Sequence, residues 1–69
     1  MIQQGFDAFL RRNQGKIILV VTVAVEQPKF LGTLETLADD SIWLREQSSN
    51  RLICLRKEAI VSVEESPIA

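Results

Sequence analysis

The chain has 69 residues, one cysteine, no histidine and a formal net charge of −1. One small domain is expected on that count, and the composition excludes a disulfide framework, a CxxC or histidine metal site, and binding of polyanions through bulk charge alone. Hydrophobic residues make up 46% of the chain, yet a domain of this size buries only about 60% of its unfolded surface, so self-association is expected.

Ile2 to Asn13 reads as a short amphipathic helix, with Ile2, Phe6, Phe9 and Leu10 on one face at spacings of three and four. Arg11 and Arg12 fall in its last turn, where they suit the helix dipole and could equally serve a ligand. Asn13-Gln14-Gly15 is a stop signal. Lys16 to Glu26 is the first predicted strand, mostly β-branched and apolar without alternation, which implies burial on both faces. Its apolar run from Ile17 to Val25 is about half of the roughly 20 residues that a membrane-spanning helix needs. No secretory leader is visible at the N-terminus, so the expectation is a soluble, cytoplasmic protein with no membrane partner.

Gln27-Pro28 turns the chain into a second strand, Lys29 to Leu37. Gly32 interrupts it, and a glycine inside a strand marks a sharp bend or a close backbone approach. Ala38-Asp39-Asp40 is an acidic turn, and Ser41 to Glu46 is a third strand in which Trp43 sits at opposite parity to Ile42 and Leu44. Trp43 is therefore expected under the helix or in a subunit interface. After the polar turn Gln47 to Asn50 come a fourth strand, Arg51 to Arg56, and a 3₁₀ turn at Lys57-Glu58-Ala59. A fifth strand runs from Ile60 to Glu64, and residues 66–69 form a tail to a domain spanning residues 2–65. The fourth strand is apolar on both faces, so a partner should cover it, and Cys54 reads as a small buried hydrophobe. No nucleophile–base pair, metal cluster or phosphate-cradling glycine loop can be assembled, so neither an enzyme nor a cofactor or metal site is expected.

A helix followed by five short strands, the second bent at a glycine, resembles the Sm-like family and, within it, the bacterial Hfq branch. The resemblance rests on the offsets of Gly32, Leu34, Leu37, Ile42, Trp43 and Leu44, and on Arg56-Lys57-Glu58-Ala59-Ile60 where that branch has Tyr-Lys-His-Ala-Ile. It also rests on Leu10-Arg11-Arg12, similar to the Leu-Arg-Arg that begins the branch's basic lateral rim. It implies a mainly β, Sm-like fold: a short helix on a strongly bent, five-stranded open barrel. Such barrels form cyclic homo-oligomers, here six subunits by analogy, through the fourth strand of one copy and the fifth of the next.

Function follows as an Hfq-like ring acting on single-stranded RNA, U-rich or A-rich, in post-transcriptional regulation or as an RNA chaperone. Gln3 falls where the branch has a glutamine at its uridine face, and Arg11, Arg12 and Lys16 fall on the rim. Lys29 and Phe30 precede Gly32 where a second, adenine-binding face lies, and Arg56 and Lys57 stand near the pore. The family's aspartate after the second strand corresponds to Ala38, with Asp39 following directly, and Asp40 stands where an aromatic stacks uracil. Those replacements keep a second reading open: an oligomeric protein-interaction or structural module on the same fold, with little or no RNA binding. A monomeric SH3-like or translation-associated barrel is the third.

Overall fold

The computed structural model describes residues 2–66, with side chains from residue 5 onward. Helix α1 spans Ile2–Arg12 and is followed by strands β1 (Ile17–Thr22), β2 (Lys29–Leu37), β3 (Ser41–Glu46), β4 (Leu52–Arg56) and β5 (Ile60–Glu65), with a 3₁₀ turn, Lys57–Ala59, before the last. All five strands pair antiparallel in one open sheet of order β4-β3-β2-β1-β5. The mainly β class and the order of elements agree with the sequence reading.

Period-two alternation builds the core. Ile18 and Val20 of β1, Leu34 of β2, and Ile42 and Leu44 of β3 are fully buried on one face of the sheet. Leu10 of α1 closes that face, with Phe6 and Phe9 packed against the same cluster. The helix stops where a stop was expected: Asn13 is buried and turns its Nδ2 back to donate to Phe9 O at 2.8 Å. Gly15 takes the left-handed φ of 87° that glycine tolerates best, and its N–H donates to Leu34 O at 2.7 Å. The helix end is thereby tied to the middle of β2.

At that same place β2 and β3 come unusually close. A Cβ on Gly32 would collide with the Arg45 carbonyl oxygen and lie 2.8 Å from its carbon, so only glycine lets β2 and β3 approach this closely. Three residues on, the register slips: Leu34 pairs with Leu44 but Thr36 with Trp43, leaving Glu35 as the extra residue of a bulge. The bulged Glu35 accepts from Arg45 Nε at 3.1 Å, and its carbonyl accepts from Gln14 Nε2 at 3.1 Å.

The structure departs from several expectations. Strand β1 ends at Thr22 rather than Glu26, because β2 begins at Lys29 opposite Val21 and leaves β1 no partner beyond Thr22 on that side. The apolar residues that follow enter a loop, where Val25 is 94% exposed. Trp43 lies on the outer face of β3, 36% exposed and opposite Cys54, which overturns its placement under the helix and leaves the alternative of a subunit interface untouched. Cys54 is likewise exposed, because it shares that outer face rather than the face of Ile42 and Leu44. Ser66, read as tail, is buried, and its N–H donates to Ile17 O at 3.2 Å; residues 67–69 lie outside the described residues.

Among the described residues, both outer strands keep a free edge. Glu46 N–H donates to Arg51 O and Lys57 N–H to Asp40 O, which fixes the parity of the β3–β4 ladder. The N–H and C=O groups of Leu52, Cys54 and Arg56 consequently point away from the sheet. On β5, the bond from Ser66 N–H to Ile17 O sets the opposite edge, so the backbone groups of Val63 and Glu65 point outward.

Among the described residues, Glu46 is the buried carboxylate. It accepts from Ser49 Oγ at 2.5 Å and from Gln27 Nε2 at 3.1 Å, and lies 3.7 Å from Arg51. The β1–β2 loop and the β3–β4 turn are joined through it. The turn closes at Asn50, whose φ of 61° is one that asparagine accepts more readily than most residues. The Ser49 hydroxyl chiefly, then Gln27 and Arg51, hold the Glu46 carboxyl below the usual value of 4.5 against the opposing effect of burial.

Gly32→Val should cost on the order of 3 kcal/mol or abolish folding, out of the roughly 5–15 kcal/mol typical of a domain. A melting temperature within a degree or two of the parent would contradict the close approach. The lowered pKa of Glu46 stabilises the fold at pH values above its unfolded-state value, and that contribution is lost as pH falls from about 4.5 through the folded value. Urea midpoints measured from pH 7 down to pH 3 should therefore fall less steeply for Glu46→Gln than for the parent.

Candidate nucleic-acid interface

The expected site residues separate into three places. Arg56, Lys57 and Asp39 come together at a concavity of about 440 Å³ between α1, the β2–β3 turn and the start of β5. Arg11 borders a smaller neighbour of about 260 Å³, which shares Asp7, Asp39 and Lys57 with the first. Arg12 and Lys16 are exposed around the helix end. Lys29 and Phe30 are remote from both, at the opposite end of β2 from the acidic turn. Lys29 is exposed there, and Phe30 packs partly buried against the core. The Gln3 side chain lies outside the described residues.

The backbone explains why the concavity forms. Ala38 N–H donates to Ser41 O at 2.9 Å and closes the acidic turn. Asp40 O in turn accepts from Lys57 N–H at 2.9 Å, so the turn and the 3₁₀ segment are held side by side. Phe6, Ile60 and Val61 supply apolar wall. The polar lining is four carboxylates, Asp7, Asp39, Asp40 and Glu58, against two cations, Arg56 and Lys57.

Both cations are engaged within the chain. Lys57 Nζ lies 3.2 Å from Asp7 Oδ1, with the lysine side chain only 21% exposed. Arg56 Nε lies 3.1 Å from Glu58 Oε2, a pair open to solvent and correspondingly weak. Asp39 and Asp40 are exposed and form no ion pair among the described residues. The concavity thus carries excess negative charge, which repels phosphate.

The helix end has the opposite character. Among the described residues the side chains of Arg11, Arg12 and Lys16 are exposed and take part in no hydrogen bond or ion pair. Three unneutralised cations within six residues are free to meet an external anion.

Sequence reasoning singled out Lys57 and noted Glu58 beside it, but missed Asp7. The signal was available: Asp7 is a lone acid four residues after Gln3 and three before Leu10, next to the apolar stripe of the helix rather than on its far side. Among the described residues, no group of acidic, cysteine or histidine side chains could hold a metal ion, and no helix is long and apolar enough to cross a membrane. Compared with known proteins, the chain matches no family model, no curated protein and no solved structure.

Proposed function

We propose that the chain is an Sm-like protein of the Hfq type, a cytoplasmic homo-oligomeric ring that binds single-stranded RNA along its rim rather than in its acidic concavity. The observation that carries the RNA reading is the partition of charge. Among the described residues Arg11, Arg12 and Lys16 are unpaired and exposed, whereas Arg56 and Lys57 are already held by Glu58 and Asp7. Binding on this reading is electrostatic, driven by release of counterions from the phosphate backbone.

Assembly is supported by the two free edges. Antiparallel pairing opposes residues whose backbone groups point outward, and opposed residues share a face. On β4 these are Leu52, Cys54 and Arg56, with side chains on the outer face beside Trp43. On β5 they include Val63, on the inner face opposite Val20. Joining the edges therefore turns the outer face of one copy toward the side that carries the core of the next. The exposed stripe of Trp43, Leu52 and Cys54 then meets Ile60 and Val63, which are only partly buried in the single chain. Arg51, just before β4, falls beside Glu64 and Glu65 at the end of β5, a complementary match. Six copies follow the resemblance.

A second reading, an assembly module without RNA, is favoured by one observation, the excess of carboxylates at the concavity. The test that separates the two is filter binding of oligo-U and oligo-A across a salt titration. Rim binding predicts affinity that falls steeply with salt, and Arg11→Ser with Arg12→Ser should reduce the slope by about two. Absence of binding at low salt would leave the assembly module. Proline substitution tests the edge. Cys54→Pro removes an N–H that points outward and should give a folded monomer by light scattering, whereas Ile53→Pro also breaks the ladder to β3 and should unfold. A Cys54→Pro oligomer of parental size would place the interface elsewhere.

A further inference from the structure

We infer that Asp7 is a specificity-determining residue: by holding the Lys57 ammonium, it withholds that cation from phosphate and keeps RNA out of the concavity. The inference rests on the rim-binding reading above. Lys57 is the one cation that lines both concavities, and of the two cations in the larger one it is the less exposed. It is thus best placed to meet a ligand in either of them. Its Nζ is aimed at Asp7 Oδ1, 3.2 Å away, across a sequence separation of 50 residues. The pair is built by the fold and is not a chance meeting of neighbours in the chain.

The consequence for ligand choice is electrostatic. A phosphodiester oxygen approaching Lys57 has to displace Asp7 or accept its charge at close range, and Asp39 borders both concavities as well. A partly buried carboxylate stripped of its cation is also left poorly compensated. Asp7 therefore acts against anions twice, by occupying the cation and by repelling the competitor. Arg56 differs, since its partner Glu58 is 74% exposed and either side chain can swing into water.

Neutralising Asp7 while keeping its shape should open the site. The experiment uses the full chain with Arg11, Arg12 and Lys16 changed to Ser, in which rim binding is removed, and measures oligo-U affinity at low salt. Adding Asp7→Asn to that background should raise affinity by up to about fivefold, the upper range for releasing one surface-accessible ion pair, and adding Lys57→Met should abolish the gain. Circular dichroism melts of each variant confirm that the fold is retained. Unchanged affinity on adding Asp7→Asn in a folded protein would overturn the inference, as would a gain that survives Lys57→Met. A rim-substituted protein that still binds like the parent would instead overturn the rim reading, so the two failures are distinguishable.

Discussion

The rest of the fold depends on one steric constraint, the approach of the β2 backbone at Gly32 to the Arg45 carbonyl of β3. No side chain fits in that gap, so the two strands close up there, and the Glu35 bulge three residues later shifts their register. What is attached to this corner explains why the constraint reaches so far. Gly15 and Gln14 hang the helix end from Leu34 and Glu35, and Arg45 pins the bulged glutamate from the other strand. Through the first of these ties, Leu10 is brought over Ile18, Leu34 and Leu44 to complete the core. A chain this short has little apolar burial to spare, so a loss at the corner is not made up elsewhere.

Most of this architecture was legible in the residues because each feature has a local cause. A glycine in a β-rich run, an Asn-Gln-Gly helix stop and two polar turns mark where elements begin, bend and end. The misreadings share a different cause. In β1 the apolar run continues to Val25, but a strand ends where its partner does, and the position of Lys29 opposite Val21 is not encoded in β1 itself. In β3 and β4 both parities are apolar, so alternation alone could not say whether Trp43 and Cys54 faced the core or the outside. The Asp7–Lys57 pair joins residues 50 positions apart and depended on the complete fold.

The charge distribution separates two roles for the eight basic residues. Arg45, Arg51, Arg56 and Lys57 have carboxylate partners within 3.7 Å, and all four lie between the middle of β3 and the 3₁₀ turn that follows β4. Arg11, Arg12, Lys16 and Lys29 have none among the described residues, and the first three cluster at the helix end. A net charge near zero therefore conceals a local separation, with an acid-rich concavity on one side of α1 and a basic strip at its end. Global charge is a poor guide to ligands in such a case, because a ligand meets the local field over about a Debye length of roughly 8–10 Å.

Repetition would sharpen that separation. In a closed ring every subunit repeats the same local field, so a concavity rich in carboxylates becomes an annulus of negative potential, and a strip of three cations becomes a belt of positive potential. Each added subunit strengthens repulsion at the first and attraction at the second, although no single contact changes. A flexible polyanion such as single-stranded RNA can follow a belt and engage several copies at once, gaining avidity from weak individual contacts. On the proposed ring, the edges of β4 and β5 and the cations of the helix end, both unpaired among the described residues, would act together: the edges would multiply the subunit, and multiplication would make three cations sufficient.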